Sequence, residues 1–287
     1  MGYFSGKVGI VTGGGSGIGR ALCENLAGQD SRVILADVNP DRAEDVADSI
    51  RNEGHHAEPI QLDVSHLEEV QRLVKKTVTQ HGRLDFIFNN AGIAVGGEAR
   101  DCSIEDWRKV LDVNLYGVIH GVMAAYPVMV KQGFGHIVNT ASIEGLVPFP
   151  GTTSYVASKY GVVGLSNALR VEGADLGVKV SVVCPGYIKT AIFHDSKLIK
   201  VNRQKMMEDL SKMKGMTPRE CARVILRGVE RNQAIIVVTH FAKVLWILQR
   251  ISPGLVIRLM QYRFRKFRQK IRIEDGSLDH IKTQTGL

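Results

Sequence analysis

The chain has 287 residues, 44% of them hydrophobic and 23% charged, with a formal net charge of +8. That length and apolar fraction supply the core of one α/β domain of ordinary size and exclude a disordered chain. Four scattered cysteines (Cys23, Cys102, Cys184, Cys221) without a CxxC pair argue against a disulfide framework or a structural zinc site, and for reduced thiols in a cytoplasmic setting.

In chain order, short apolar runs at 7–12, 32–36, 57–62, 84–88, 136–140, 179–184 and 234–238 read as strands. Several are continuous rather than alternating, the pattern of strands buried on both faces. Between them, helical periodicity covers 40–53, 66–81, 104–131 and 153–176. The alternation predicts a doubly wound, mostly parallel seven-stranded sheet, a Rossmann fold, over residues 1–240. No apolar run reaches the ~20 residues of a spanning helix, and neither a secretory signal nor a myristoylation pattern is read at the N-terminus.

The first strand runs into Thr12-Gly13-Gly14-Gly15-Ser16-Gly17-Ile18-Gly19 and then a helix. Glycines allow a tight turn and a close approach of backbone N–H groups to a pyrophosphate, whose charge is favoured at a helix N-terminus. The second strand ends on Asp37, which suits the ribose hydroxyls of NAD(H) and repels a 2′-phosphate. No Lys or Arg lies within the turn or beside Asp37; the nearest are Arg20 and Arg42.

Tyr155 and Lys159 stand four residues apart and share one helical face. A phenol of pKa about 10 is a poor base at neutral pH, and a neighbouring ammonium favours the phenolate. Ser142 follows the 136–140 strand at its C-terminal end, where ligands bind in open α/β sheets, and its hydroxyl suits a substrate oxygen that Tyr155 protonates or deprotonates.

With these residues the chain resembles the short-chain dehydrogenase/reductase family, in its single-domain branch, over roughly residues 5–240. Thr12, Gly13, Gly17 and Gly19 match TGxxxGxG, whereas the longer branch that includes epimerases spaces its glycines differently. Asn89-Asn90-Ala91-Gly92 match NNAG. Asn114, Ser142, Tyr155 and Lys159 match the catalytic set, and Pro185-Gly186-Tyr187-Ile188-Lys189-Thr190 match the segment that holds the nicotinamide. The resemblance implies an NAD(H)-dependent alcohol/ketone oxidoreductase in which Tyr155 is the general acid/base. Lys159 lowers its pKa and binds the ribose, Ser142 orients the substrate, and Asn114 positions a relay water. Cofactor contacts are implied at Gly13, Ser16, Gly17, Ile18, Gly19, Asp37, Asp63, Val64, Asn90, Ala91, Gly92, Tyr155, Lys159, Pro185, Gly186, Ile188 and Thr190. It also implies a homodimer or homotetramer packed through the two long helices.

Glu144, two residues after Ser142, reads either as a substrate contact or, more simply, as a solvated loop acid. Tyr187 and Phe193 are the other candidate substrate contacts, and Phe193, Leu198, Ile199 and Met206-Met207 give the loop at about 190–215 an apolar character. The nine histidines form no HxxxH or HxH pair, so no metal is expected.

Residues 241–287 form an extension in which the charge resolves. Residues 1–240 carry a net charge of only +1, whereas 241–270 hold eight cations and no acid. Ser252-Pro253-Gly254 separates an apolar stretch at 241–251 from one at 255–273. The second sets Val256, Met260, Phe264, Phe267 and Ile271 on one helical stripe beside Arg258, Arg265, Arg268 and Arg272. Two readings stand: a helix peripherally bound to an anionic membrane through 241–273, or a helix pair packed on the body or a neighbouring subunit. Nucleic acid is disfavoured, because the body is not basic and no binding module is present. The substrate expected is a lipophilic secondary alcohol or ketone, steroid-, retinoid- or acyl-like. A 3-oxoacyl thioester reductase and a non-catalytic dinucleotide-binding scaffold or redox sensor are the alternatives.

Overall fold

The apolar runs become strands buried on both faces. In a computed structural model, which describes residues 2–273, the chain order begins β1 (Val8–Thr12), α1 (Gly17–Ala27), β2 (Arg32–Asp37), α2 (Pro40–Asn52), β3 (Ala57–Gln61), α3 (Leu67–His81) and β4 (Phe86–Asn89). It continues through β5 (Val95–Gly96), α4 (Ile104–Leu111), a π-helical turn (Asp112–Tyr116), α5 (Gly117–Gln132), β6 (Gly135–Thr140), a 3-10 turn (Ile143–Gly145) and α6 (Thr153–Gly173). Then come β7 (Val178–Pro185), α7 (Ile192–Asp195), β8 (Lys197–Leu198), α8 (Arg203–Ser211), α9 (Pro218–Glu230), β9 (Ile235–Val238), α10 (His240–Ile251) and α11 (Pro253–Ile271).

All seven expected strands form within two residues of their predicted ends, in the order β3-β2-β1-β4-β6-β7-β9 with every pairing parallel. The order reverses between β1 and β4, which opens a crevice at their C-terminal ends. One face of the sheet packs Leu22 and Leu26 of α1 with Val46 and Ile225; the other packs Val70 and Leu73 of α3 with Val122 and Met129 of α5. The helix predicted over 104–131 is broken by the π turn, which carries Asn114, and the one over 153–176 ends in a 3-10 turn at Ala174–Leu176. By length and composition the stretch 104–132 is apolar enough to cross a membrane, yet its Val118, Val122, Ala125 and Met129 are buried in the core.

The extension folds as two helices that break at Ser252, with Pro253 entering the first turn of α11, where its missing N–H costs nothing. The predicted stripe packs on the body: Val256 and Ile271 are buried, with Met260 and Phe264 partly so. Asn202 N–H donates to the Ile271 carbonyl at 2.9 Å, and Ile273 N–H to the Lys200 carbonyl at 3.0 Å, so the end of α11 is stitched to the segment before α8. Three of the expected surface cations pair with acids of the body. Arg268 pairs with Glu98 at 2.8 Å, Arg272 pairs with Asp101 at 2.7 Å, and Lys270 pairs with Asp209. The remainder of the extension, 274–287, lies outside the described residues.

Helix α5 seats on β4 through Gly121, and this contact sets the position of the π turn. A Cβ at Gly121 falls 1.9 Å from Asn89 Oδ1, whose amide donates to Asn139 Oδ1 at 2.8 Å in the sheet interior. Gly121→Ala is expected to lose about 1–3 kcal/mol by overpacking, read as a lower Tm in a thermal melt; an unchanged Tm contradicts this seating.

Candidate active site

The glycine turn is locked to the loop after β4. Gly13 and Gly17 have φ of +65° and +53°, and a Cβ on Gly13 falls 2.8 Å from Ala91 Cα. Thr12 Oγ1 accepts the N–H groups of Asn90 at 3.0 Å and Ala91 at 3.1 Å, and Asn90 Nδ2 donates back to the Thr12 carbonyl at 3.1 Å. Helix α1 starts at Gly17 after Ser16, whose side chain makes no cap bond, and Ile18 packs on the core. A Cβ on Gly19 falls 2.0 Å from the Gly13 carbonyl oxygen, so the start of the helix lies directly on the turn.

Asp37 closes the adenosine end. Its Oδ2 accepts the Gly15 N–H at 2.9 Å and its Oδ1 the Asn39 N–H at 3.0 Å, which leaves each oxygen a lone pair for a hydroxyl donor. A narrow glycine cradle ending on a half-buried carboxylate fits a dinucleotide. Asp63 is differently occupied. Burial pulls its pKa up, but the Ser65 N–H at 2.9 Å and hydroxyl at 2.7 Å outweigh that and hold the carboxyl below its ordinary range. Val64 is buried, with its carbonyl taken by His120 Nδ1 at 2.8 Å.

Asn114, Ser142, Tyr155 and Lys159, drawn from the π turn, the end of β6 and α6, converge beside that cradle. Asn114 is fully buried; its Oδ1 accepts the Ile93 N–H at 2.8 Å and its Nδ2 donates to the Ile93 carbonyl at 2.9 Å. A Cβ on Gly92 falls 3.3 Å from Asn114 Oδ1 and 3.5 Å from Lys159 Nζ, so these two polar groups face each other across a residue that must be small. Lys159 Nζ donates to the Thr140 carbonyl at 2.9 Å and lies 5.4 Å from the Tyr155 ring centre. The Ser142 hydroxyl accepts the Glu144 N–H at 3.1 Å and lies close enough to the Tyr155 phenol to lower its pKa.

Desolvation governs the charges here. Burial pushes the Lys159 ammonium down to about 8, against the opposing effects of Cys184 and Glu144. Burial pushes Glu144 up to about 7, although Thr152 Oγ1 donates to it at 2.6 Å and Lys159 is near. Glu144 is therefore no solvated loop acid. The Tyr155 hydroxyl stands above its ordinary value, raised first by burial and next by Glu144, and Ser142 offsets only part of this. In the folded chain the phenol is governed by burial, Glu144 and Ser142.

Beyond the cluster lies an apolar cavity of about 180 Å³. Phe193, Leu198, Ile199 and Met206 of the predicted loop line it, joined by Phe264 and Phe267 of α11 and by Thr152. Thr152 is the link to the chemistry, since Ser142, Glu144, Tyr155 and Lys159 sit outside the lining and Thr152 holds Glu144. Tyr187, expected to touch substrate, instead props the loop: its hydroxyl donates to the Leu210 carbonyl at 3.3 Å and its ring packs on Phe193. Pro185 ends β7, and Gly186 N–H donates to the Val238 carbonyl at 3.0 Å. Thr190 lies against Gly17, and the Ile188 side chain is buried in the core.

Sequence reasoning missed Thr152, the β5–β8 pair that frames the cavity, and the aromatic wall from α11. The i, i+3 spacing of Phe264 and Phe267 marked them as one stripe but carried no sign of what they face.

Comparison with known proteins agrees with this geometry. The short chain dehydrogenase family profile matches residues 7–198. The chain is 35% identical over 271 residues to the putative oxidoreductase SadH of Mycobacterium tuberculosis, covering 93% of this chain and 98% of that one. It is 39% identical over 205 residues to a cyclohexanol dehydrogenase of an Acinetobacter strain, covering 69% and 81%. A short chain dehydrogenase/reductase of Burkholderia phymatum, solved with NAD, superposes with a TM-score of 0.81 at 29% identity, covering 89% of this chain and 96% of that one. The glycine cradle, the Asn114–Ser142–Tyr155–Lys159 cluster and these likenesses place the chain in the short-chain dehydrogenase/reductase family of oxidoreductases.

Proposed function

We propose that the chain interconverts a lipophilic secondary alcohol and its ketone with NAD(H), Tyr155 acting as general acid/base. The observation that carries this reading is the convergence of Ser142 and Tyr155 beside the buried Lys159, next to a cavity walled by Phe193, Phe264 and Phe267. The relative named for cyclohexanol supports an alicyclic or similarly apolar alcohol.

The nicotinamide, when bound, supplies or accepts the hydride. Backbone N–H groups of the Gly13–Gly19 turn hold the pyrophosphate, Asp37 takes the adenosine ribose hydroxyls, and Asn90, Pro185, Gly186 and Thr190 flank the nicotinamide end. Ser142 orients the substrate oxygen, and Tyr155 donates its proton to that oxygen in reduction and withdraws it in oxidation. Lys159 opposes the charge of the phenolate and holds the second ribose. Asn114 faces Lys159 across Gly92, the gap in which a relay water connects the lysine to solvent. Preference for NAD(H) rests on Asp37; Arg42, the nearest cation on α2, is turned toward Asp195 at 3.8 Å. Four free thiols fit a reducing cytoplasm. Exposed Tyr116, Met123, Tyr160 and Val171 on the two long helical segments fit assembly into a dimer or tetramer through them.

Three results test the reading. Tyr155→Phe is expected to lower kcat about 10²–10⁴-fold while NADH binding by fluorescence is retained; near-wild-type turnover overturns the assignment. Wild type is expected to show the higher kcat/KM with NAD, and Asp37→Ser to move that ratio toward NADP; a wild-type preference for NADP overturns the cofactor choice. Glu144→Gln removes a negative charge that raises Tyr155, so the phenolate forms at lower pH. The rising limb of kcat/KM for alcohol oxidation is expected to move to lower pH, and a limb that stays in place or moves up excludes Glu144 from the coupling.

A further inference from the structure

Once the Val256–Ile271 stripe is packed on the body, the opposite side of the extension is left uncovered by the described residues. On α10, Phe241, Val244 and Ile251 are 66%, 64% and 77% exposed; on α11, Leu255, Leu259 and Tyr262 are 53%, 41% and 57% exposed. The first three lie within one helical sector at i, i+3 and i+10, the second three at i, i+4 and i+7. The two stripes approach each other at the turn, where only Ser252–Gly254 separates Ile251 from Leu255. Solvent-facing apolar residues scattered singly need no explanation, but two adjoining stripes do.

The charges beside them are of one sign. Lys243, Arg250, Arg258, Arg263, Arg265 and Lys266 are exposed and have no acidic partner among the described residues, unlike Arg268, Lys270 and Arg272, which are paired with the body. By helical angle Arg258 and Arg265 lie on one flank of the Leu255–Leu259–Tyr262 stripe, Arg263 on the other, and Lys266 continues it over the Tyr262 ring at 4.6 Å. A second copy of the chain is a poor occupant, because a two-fold contact sets each cation against the same set in its partner and 241–270 contains no acid to answer them. A polyanion without an apolar phase leaves the aromatic and aliphatic stripe wet.

We infer that the exposed face of the α10–α11 hairpin docks on an anionic lipid bilayer, with Phe241, Ile251, Leu255, Leu259 and Tyr262 in the acyl boundary and the flanking guanidinium and ammonium groups on the lipid phosphates. Phe267, on the packed side of the same helix, lines the cavity, so α11 contributes both the docking face and part of the cavity wall. The docking stands independently of the reaction assigned above.

Co-sedimentation of the full chain with sucrose-loaded vesicles tests it without any need for turnover. Binding to phosphatidylcholine containing about a third phosphatidylglycerol is expected to exceed binding to phosphatidylcholine alone by about tenfold or more at low salt, and to fall as salt rises. Leu255→Ser/Leu259→Ser and, separately, Arg258→Glu/Arg263→Glu are expected to abolish it. These four residues are exposed, so the melting temperature and NADH binding of the variants are expected to match wild type. No sedimentation with either vesicle overturns the inference, as does binding that neither variant weakens. Concentration-dependent self-association lost in the same variants, without vesicle binding, assigns the face to a second copy and equally overturns it.

Discussion

The hydrogen bonds that join the ends of β1 and β4 are the constraint on which the rest of the site depends. Strand order reverses between these two strands, so no neighbouring strand fills the space above their carboxyl ends. Thr12 bridges the gap by accepting two N–H groups from the NNAG loop, and Asn90 returns a donor to the Thr12 carbonyl. That exchange holds the glycine turn flat, so that Gly13 meets Ala91 with no room for a Cβ. It also fixes Gly92 and Ile93, which in turn clamp Asn114 through two hydrogen bonds. The glycine turn and the Asn114 clamp thus share one backbone junction, and a shift there moves both.

Desolvation is the second determinant. Lys159 is buried and Glu144 partly so, and burial drives each toward its neutral form, the lysine to about 8 and the carboxyl to about 7. Groups poised so near neutrality respond to small changes around them, which is what a proton-transferring site needs. Burial alone leaves Tyr155 a donor at neutral pH, the state required for reduction.

The sheet and the motifs were legible because their signals are local. Strands buried on both faces read as continuous apolar runs, and the glycine turn, Tyr155 and Lys159 are spaced by the geometry of one turn or one helix. What was illegible depended on distant partners. Glu144 sits in a short polar-looking turn, and only folding brings Thr152 and α6 over it. Arg268 and Arg272 looked like one basic surface with Arg265, until Glu98 and Asp101, some 170 residues earlier, claimed them. Phe264 and Phe267 were placed on one helical stripe, yet nothing near them in sequence indicates that they line a cavity. The helix expected at 104–131 concealed its π turn because a single extra residue per turn barely disturbs an apolar pattern.

The central claim is that hydride leaves a carbinol carbon held between Tyr155 and the nicotinamide. Secondary alcohols from cyclohexanol to larger alicyclic compounds, deuterated at the carbinol carbon, test it most directly when incubated with NAD and the full chain. Deuterium is predicted at C4 of the reduced cofactor, with ketone formed in equal amount. Reduced cofactor free of label, or ketone formed without cofactor reduction, contradicts the account.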